Sequence, residues 1–112
     1  MNDKKEGGYY DLEERTLRFA IRIRQFVKKL PRTISNIEDG KQVIRSSGSV
    51  GSNYIEANEA LSKKDFKHRI KISRKEAKES AYWLKIIAFN NDIKFSREGN
   101  KCCLRLRRFL SR

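Results

Sequence analysis

The sequence predicts an all-α protein, folded as one antiparallel, up-down-up-down four-helix bundle. Apolar residues recur at three- and four-residue steps along several segments, which is the period of an amphipathic helix. The 112 residues include one proline and six glycines, too few turn-forming residues for an all-β chain of this length. A chain this short has room for one domain, so we expect a flexible tail at 1–10 and the bundle over 11–112.

The first helix is predicted over about 12–30. Asp11 is the expected N-cap, and Glu13 and Glu14 follow in the first turn, where carboxylates oppose the positive end of the helix dipole. Pro31 follows the predicted end. The apolar face comprises Leu12, Thr16, Phe19, Ala20, Ile23, Phe26, Val27 and Leu30.

The second helix is predicted to begin near Ser35 or Asn36 and to reach about Asn58. It contains Gly48 and Gly51, each of which costs about 1 kcal/mol relative to alanine inside a helix. One interpretation is a break that gives two short helices; the other is close approach of a neighbouring helix. We favour close packing, because no proline or Asn-Gly pair marks a turn here. The small residues are Ser47, Gly48, Gly51 and Ser52.

A capping pattern from Ser62 to Asp65 predicts the start of the third helix, which runs to about Asn90. Ser96 is predicted to cap a fourth helix. That helix would carry its apolar residues to the end of the chain: Cys103, Leu106, Phe109 and Leu110.

The third helix carries three different stripes when its residues are placed at 100° steps. The predicted core stripe comprises Phe66, Ile70, Ser73, Ala77, Ala81, Leu84 and Ala88. An entirely basic stripe comprises Lys64, Lys67, Lys71, Arg74, Lys78 and Lys85. The opposite flank is apolar and acidic together, and comprises Asp65, Ile72, Glu76, Glu79, Trp83 and Ile86.

The flank needs a covering surface, because tryptophan is costly to leave in water. It is buried either against another helix of the same chain or against a neighbouring subunit. A bundle this small can bury one stripe of each helix more readily than two. A subunit interface along this flank is therefore one of the two predictions. That interface would comprise Ile72, Glu76, Glu79, Trp83 and Ile86.

The formal net charge of +13 indicates a polyanionic partner. Nucleic acid is the first candidate, because neutralising phosphates releases condensed counterions. An anionic membrane surface and a merely solubilising charge excess are the alternatives; the membrane is disfavoured because the basic stripe adjoins a core stripe that the bundle must bury. The predicted nucleic-acid-binding residues are Lys64, Lys67, Lys71, Arg74 and Lys78, supported by Arg15, Arg18, Arg22, Arg105 and Arg108.

Other classes of protein are disfavoured. No stretch approaches the roughly 20 apolar residues of a membrane span, and the adjacent Cys102 and Cys103 define no disulfide framework. We therefore expect a cytoplasmic protein. The lone histidine, His68, has no nucleophile and orienting partner around it in the sequence, and we expect it on the helix surface. The sequence predicts no enzyme activity, no cofactor and no metal.

The second and third helices also carry motifs that resemble a known family. The segments are 45–57 (RSSGSVGSNYIEA), 62–66 (SKKDF), 75–80 (KEAKES) and 82–84 (YWL). They resemble the bacterial four helix bundle proteins encoded in intervening sequences of 23S rRNA genes. The resemblance implies a ring-shaped homo-oligomer, a homopentamer in relatives, and kinship with accessory proteins of diversity-generating retroelements, which contact a reverse transcriptase and its RNA. It implies no enzymatic activity.

Polar residues within these motifs have two interpretations. They form either a hydrogen-bonded network that fixes the register of the helices or a metal site. We favour the network, because di-iron bundles use Glu-x-x-His and Glu76-x-x-Glu79 lacks the histidine. The residues are Asn53, Glu56, Lys75, Glu76 and Glu79.

The predicted function is a non-enzymatic oligomeric scaffold that binds nucleic acid, with RNA favoured because no helix-turn-helix or zinc pattern is present. The alternative is a protein–protein adaptor, such as a reverse-transcriptase accessory subunit of a diversity-generating retroelement.

Overall fold

The structure, a computed structural model, describes residues 8–93 and the side chains of residues 12–93. It contains helices α1 (Gly8–Lys28), α2 (Ile34–Asn58) and α3 (Lys63–Asn90). The all-α prediction is therefore confirmed over this part of the chain. The predicted fourth helix from Ser96 lies outside the described residues. None of the described helices combines the length and the hydrophobicity needed to cross a membrane.

Helix α1 begins earlier than the sequence predicted. It is already helical at Gly8, so Asp11 lies inside the helix and the prediction that it is the N-cap is wrong. The carboxylates of Glu13 and Glu14 lie within the first two turns, close to the positive end of the dipole. Backbone hydrogen bonds from Lys29 and Leu30 then close the last turn.

The starts of α2 and α3 are fixed by hydroxyl caps. Helix α2 begins at Ile34, one or two residues before the predicted start. Thr33 is its N-cap, and the Thr33 side chain accepts a hydrogen bond from the Asn36 amide at 3.2 Å. Ser62 caps α3 as predicted, with its hydroxyl 3.1 Å from the Asp65 amide. Each cap satisfies an N–H group that has no partner inside its helix.

Helix α2 is continuous through both glycines, which confirms close packing over a break. It runs antiparallel to α1, and Gly51 lies against Thr16: a Cβ atom at Gly51 would sit 2.9 Å from the Thr16 Oγ1 and 3.2 Å from its Cβ. A Cβ atom at Gly48 would meet only the guanidinium tip of Arg24, at 3.2 Å. Of these two glycines, Gly51 is the one that the approach of α1 requires.

We expect Gly51→Ala to lower the free energy of unfolding by about 1–3 kcal/mol, because overpacking against the buried Thr16 outweighs the gain in helix propensity. Gly48→Ala is the matched control. Its Cβ meets a side-chain tip that can move, so the propensity gain of up to about 1 kcal/mol should remain. Urea unfolding followed by circular dichroism measures both, and equal effects at the two positions would contradict the assigned α1–α2 contact.

Helices α2 and α3 pack along a row of buried serines. Ser46 and Ser80 lie 2.8 Å apart through their hydroxyl oxygens, and the Ser73 hydroxyl donates to the Val50 carbonyl at 2.6 Å. Ser46, Ser73 and Ser80, which we call the serine seam, are completely buried. Their small side chains let the two backbones approach, and every hydroxyl has a partner that offsets its desolvation.

The core is completed by apolar residues from all three helices. The buried cluster comprises Leu12, Phe19, Ile23, Val43, Val50, Tyr54, Ala77, Leu84 and Ile87. Of the predicted core stripe of α3, Phe66 is misplaced, because 36% of it is exposed. Phe66 lies in the first turn of α3, and Arg69, one turn later, already pairs with Glu56 near the end of α2. Little of α2 remains for Phe66 to pack against.

A pair of amides joins the other end of the same two helices. The Asn36 side chain donates to Asn91 Oδ1 at 2.9 Å, and the Asn91 side chain donates to Asn36 Oδ1 at 2.8 Å. The two amide groups also donate to the backbone carbonyls of Pro31 and Ile87. This amide clasp (Asn36 and Asn91) satisfies a buried asparagine and fixes the antiparallel register of α2 and α3.

Candidate nucleic-acid interface

The basic stripe of α3 faces solvent. Lys64, Lys67, Lys71 and Lys78 are exposed, and Arg74 is half-buried. Among the residues that the structure describes, no carboxylate forms an ion pair with any of these five side chains. Neighbours three and four positions apart on a helix repel one another when they carry like charge. The stripe is therefore a row of cations that repel one another, and no carboxylate in the described part of the chain offsets this repulsion.

Two carboxylates of α3, those of Glu76 and Glu79, point toward α2 instead. Arg45 on α2 lies between them, with one guanidinium nitrogen 3.3 Å from Glu76 Oε1 and another 2.8 Å from Glu79 Oε2. Glu76 is only 9% exposed, so its charge requires this partner. Arg45 thus holds Glu76 and Glu79 at the α2–α3 contact, on the side of α3 away from the basic stripe.

Glu79 is also held by Trp83, whose indole Nε1 donates to Glu79 Oε2 at 3.3 Å. Partial burial raises the pKa of Glu79, but the hydrogen bonds from Trp83 and Arg45 and the charges of Arg45 and Lys75 outweigh that effect. The pKa of Glu79 is therefore held below its ordinary value, and the ionised carboxylate stabilises the folded chain.

Because the pKa of Glu79 is lower in the folded chain than in the unfolded chain, its contribution is present at neutral pH and is lost as the pH falls below about 4.5. We expect Glu79→Gln to unfold at lower urea concentration than wild type at neutral pH, and the difference to shrink on acidification. Urea midpoints across about pH 7 to pH 3 test this. Glu38→Gln is the control, since its weak pair with Lys41 is solvent-exposed; a difference for Glu79→Gln that does not change with pH contradicts the assignment.

The predicted subunit-interface residues lie along one side of α3. Ile72, Glu79, Trp83 and Ile86 are half-buried, and Glu76 is buried. Trp83 packs against the core cluster of its own chain, and its ring meets that of Tyr82 edge to face at 5.3 Å. The acidic members contact α2 through Arg45, so contacts within the chain cover part of this flank, and the three apolar side chains keep some accessible surface.

A second arginine, Arg69, contacts two more of the polar residues predicted to form the network, Asn53 and Glu56. Arg69 donates to Asn53 Oδ1 at 3.1 Å and lies 3.9 Å from a Glu56 oxygen. Together with the Arg45 pairs, these contacts form the predicted network between facing helices, in which Lys75 acts only through its charge near Glu79. Sequence reasoning missed both arginines. The sequence did offer a sign of them: each of the two helices carries an arginine, and each also carries one or more motif glutamates that an arginine of the other helix could pair with.

The predicted supporting arginines of α1 are placed differently from one another. Arg18 is paired with Glu14 at 3.0 Å, one turn earlier, Arg22 is exposed and Arg15 is half-buried. Arg105 and Arg108 lie outside the described residues. In α1, Arg22 resembles the α3 stripe in its exposure, whereas the charge of Arg18 is already matched.

His68 is exposed on α3, as predicted. Within residues 8–93 no three side chains of the metal-binding types come together in a group that would hold an ion. The carboxylates of Glu56, Glu76 and Glu79 are engaged by the arginines of the facing helices.

A cleft of about 290 Å³ lies at the α1–α2 turn. Apolar residues such as Val27, Ile37 and Ile44 form part of its lining, together with cationic residues: Lys28, Arg32 and Lys41. No carboxylate lines it. An acidic and apolar peptide segment has the complementary chemistry.

The chain resembles known proteins over most of its length. The model of the family described as 23S rRNA-intervening sequence protein matches residues 10–108. A crystal structure of a protein of unknown function from the S23 ribosomal protein family of Bacteroides thetaiotaomicron VPI-5482 superposes with a TM-score of 0.78. The two chains are 28% identical, and the match covers 88% of this chain and 94% of that one. No curated protein sequence matches this chain.

The matched residues include nearly all of α1 and the whole of α2 and α3. The chain belongs to the family of 23S rRNA-intervening sequence proteins.

Proposed function

We propose that this protein is a non-enzymatic, oligomeric scaffold that binds RNA through the basic stripe of α3. The observation that carries the proposal is the charge separation on this helix: Glu76 and Glu79 contact α2, and five cations remain without a carboxylate partner among the described residues. A phosphate backbone relieves the repulsion between these cations and releases its own condensed counterions on binding.

RNA is the polyanion that the remaining observations favour. The sequence carries no helix-turn-helix or zinc pattern for reading duplex DNA, and the stripe offers flexible lysines that contact phosphates without reading base edges. We therefore expect binding with little sequence preference. Self-assembly belongs to the same proposal: Ile72, Trp83 and Ile86 retain accessible apolar surface for a second copy, and the family resemblance implies five copies.

The experiment is a titration of purified, nuclease-treated protein into a labelled single-stranded RNA of about 20 nucleotides. If five cations contact phosphates, log K should fall against log salt with a slope of about −3.5, or about a hundredfold between about 50 and 200 mM. Light scattering of the same sample measures the number of subunits. Absence of RNA binding at the lower salt concentration contradicts the scaffold function, and a single-subunit mass contradicts the assembly.

An adaptor function is the second candidate, and the cleft at the α1–α2 turn favours it. Its apolar lining and the cations Lys28, Arg32 and Lys41 suit an acidic peptide of a protein partner. Reversing these three charges should abolish capture of such a partner and leave RNA binding in place, which separates the two candidates.

A further inference from the structure

Lysines and aromatic residues lie in one row along the outer face of α3. Alternating steps of four and three residues, the spacing of a single helical face, run along it. The row comprises Lys71, Lys75, Lys78, Tyr82, Lys85 and Phe89. Every member is exposed, and none is acidic. The basic stripe therefore continues toward the end of α3 as a surface of cations and rings.

The two rings are accessible and do little for the fold. Phe89 is 89% exposed and Tyr82 is 59% exposed. The described contact of the Tyr82 ring is the edge-to-face one with Trp83, which leaves a ring face open. Neither ring belongs to the core cluster or packs against it. A single exposed ring is common on protein surfaces, but two in one row with flanking lysines are what a base-stacking surface requires.

We propose that Tyr82 and Phe89 are stacking platforms for unpaired bases, so that the outer face of α3 binds single-stranded RNA in preference to duplex RNA. This inference rests on the proposed RNA-binding function and specifies its ligand. Lys78 and Lys85 flank Tyr82 on the same row and contact the phosphates on either side of a stacked base. A duplex keeps its base faces inside the stack, where the two rings have no access to them.

The spacing of the rings suits a short single-stranded segment. Phe89 lies seven positions after Tyr82, which is a rise of roughly 10 Å along the helix. Stacked nucleotides rise about 3.4 Å each, so the two rings span about three nucleotides. The lysines toward Lys71 extend the phosphate contacts beyond this segment.

The test compares a labelled oligouridine of about 20 nucleotides with a duplex RNA of equal length. The variant Tyr82→Leu/Phe89→Leu keeps apolar side chains and removes both rings. Stacking contributes at least about 1 kcal/mol per base, so the variant should bind the single strand about thirtyfold more weakly and the duplex within about twofold of wild type. Tyr82→Phe, which keeps the ring, should bind like wild type.

Leu61→Ala is the matched control, since Leu61 is 99% exposed and precedes α3; it should leave both affinities unchanged. Circular dichroism confirms that the variants are folded. If wild type binds duplex as tightly as single strand, or the double leucine variant binds both like wild type, the stacking inference is wrong while the scaffold function stands. If wild type binds neither RNA at low salt, the scaffold function itself fails.

Discussion

Ser80→Leu should lower the free energy of unfolding by about 2–4 kcal/mol, the largest loss of stability that we expect from a single substitution. Ser80 is completely buried between α2 and α3, and its hydroxyl lies 2.8 Å from that of Ser46. A leucine forces the two backbones apart, which costs about 1–3 kcal/mol. It also removes the Ser80 hydroxyl and leaves Ser46 only its longer bond to the Val43 carbonyl, at 3.4 Å, with a further cost of about 1 kcal/mol.

Two controls separate volume from hydrogen bonding at this position. Ser80→Ala removes the hydroxyl without adding volume and should cost only about 1 kcal/mol. Lys78→Leu adds the same side chain two residues away on the exposed face and should be close to neutral. Urea unfolding at neutral pH ranks the three variants. If Ser80→Leu is no more destabilising than Ser80→Ala, the helices are not in contact along the serine seam.

Reversal of Lys67, Lys71 and Arg74 to glutamate should weaken RNA binding at least about a hundredfold, the largest functional effect that we expect. Each charged contact to phosphate contributes about 1.5 kcal/mol or more, and three are replaced by repulsion. The salt slope should also become shallower by about 2, since three fewer counterions are released on binding to a single strand. All three positions are surface-accessible, so the folded state should be retained.

The control reverses Lys28, Arg32 and Lys41, which changes the net charge equally. These residues surround the cleft at the α1–α2 turn, which the antiparallel register places at the opposite end of the bundle from Lys67. RNA affinity should fall much less than in the α3 variant. Equal losses in the two variants would show that net charge, rather than the basic stripe, determines binding.

The period of the apolar residues was enough to predict the three described helices and which side of α3 faces solvent. Ser62 marked the start of α3, and the absence of turn residues near Gly48 correctly indicated a continuous α2. These features depend on neighbours three or four residues apart, which the sequence presents directly. The exposure of the basic stripe follows from the same geometry.

Contacts between helices were harder to predict. A helical wheel gives the direction in which a residue points from its own helix axis, but it does not show which residue of the neighbouring helix lies opposite. Arg45 contacts Glu79 across 34 positions, and Asn36 contacts Asn91 across 55. Phe66 has a suitable angle for the core but lies where α2 is ending. The register between α2 and α3 was the missing quantity, and it decides which carboxylates the two arginines neutralise.

The amide clasp has a consequence for how the bundle opens in acid. Asn36 and Asn91 carry no proton that acid titrates, whereas the pair of Arg45 with Glu79 depends on an ionised carboxylate whose pKa is held low. Protonation of Glu79 therefore weakens the middle of the α2–α3 contact and leaves the clasped end intact. As the pH falls, backbone amides around Glu79 should lose protection from solvent exchange before those beside the clasp.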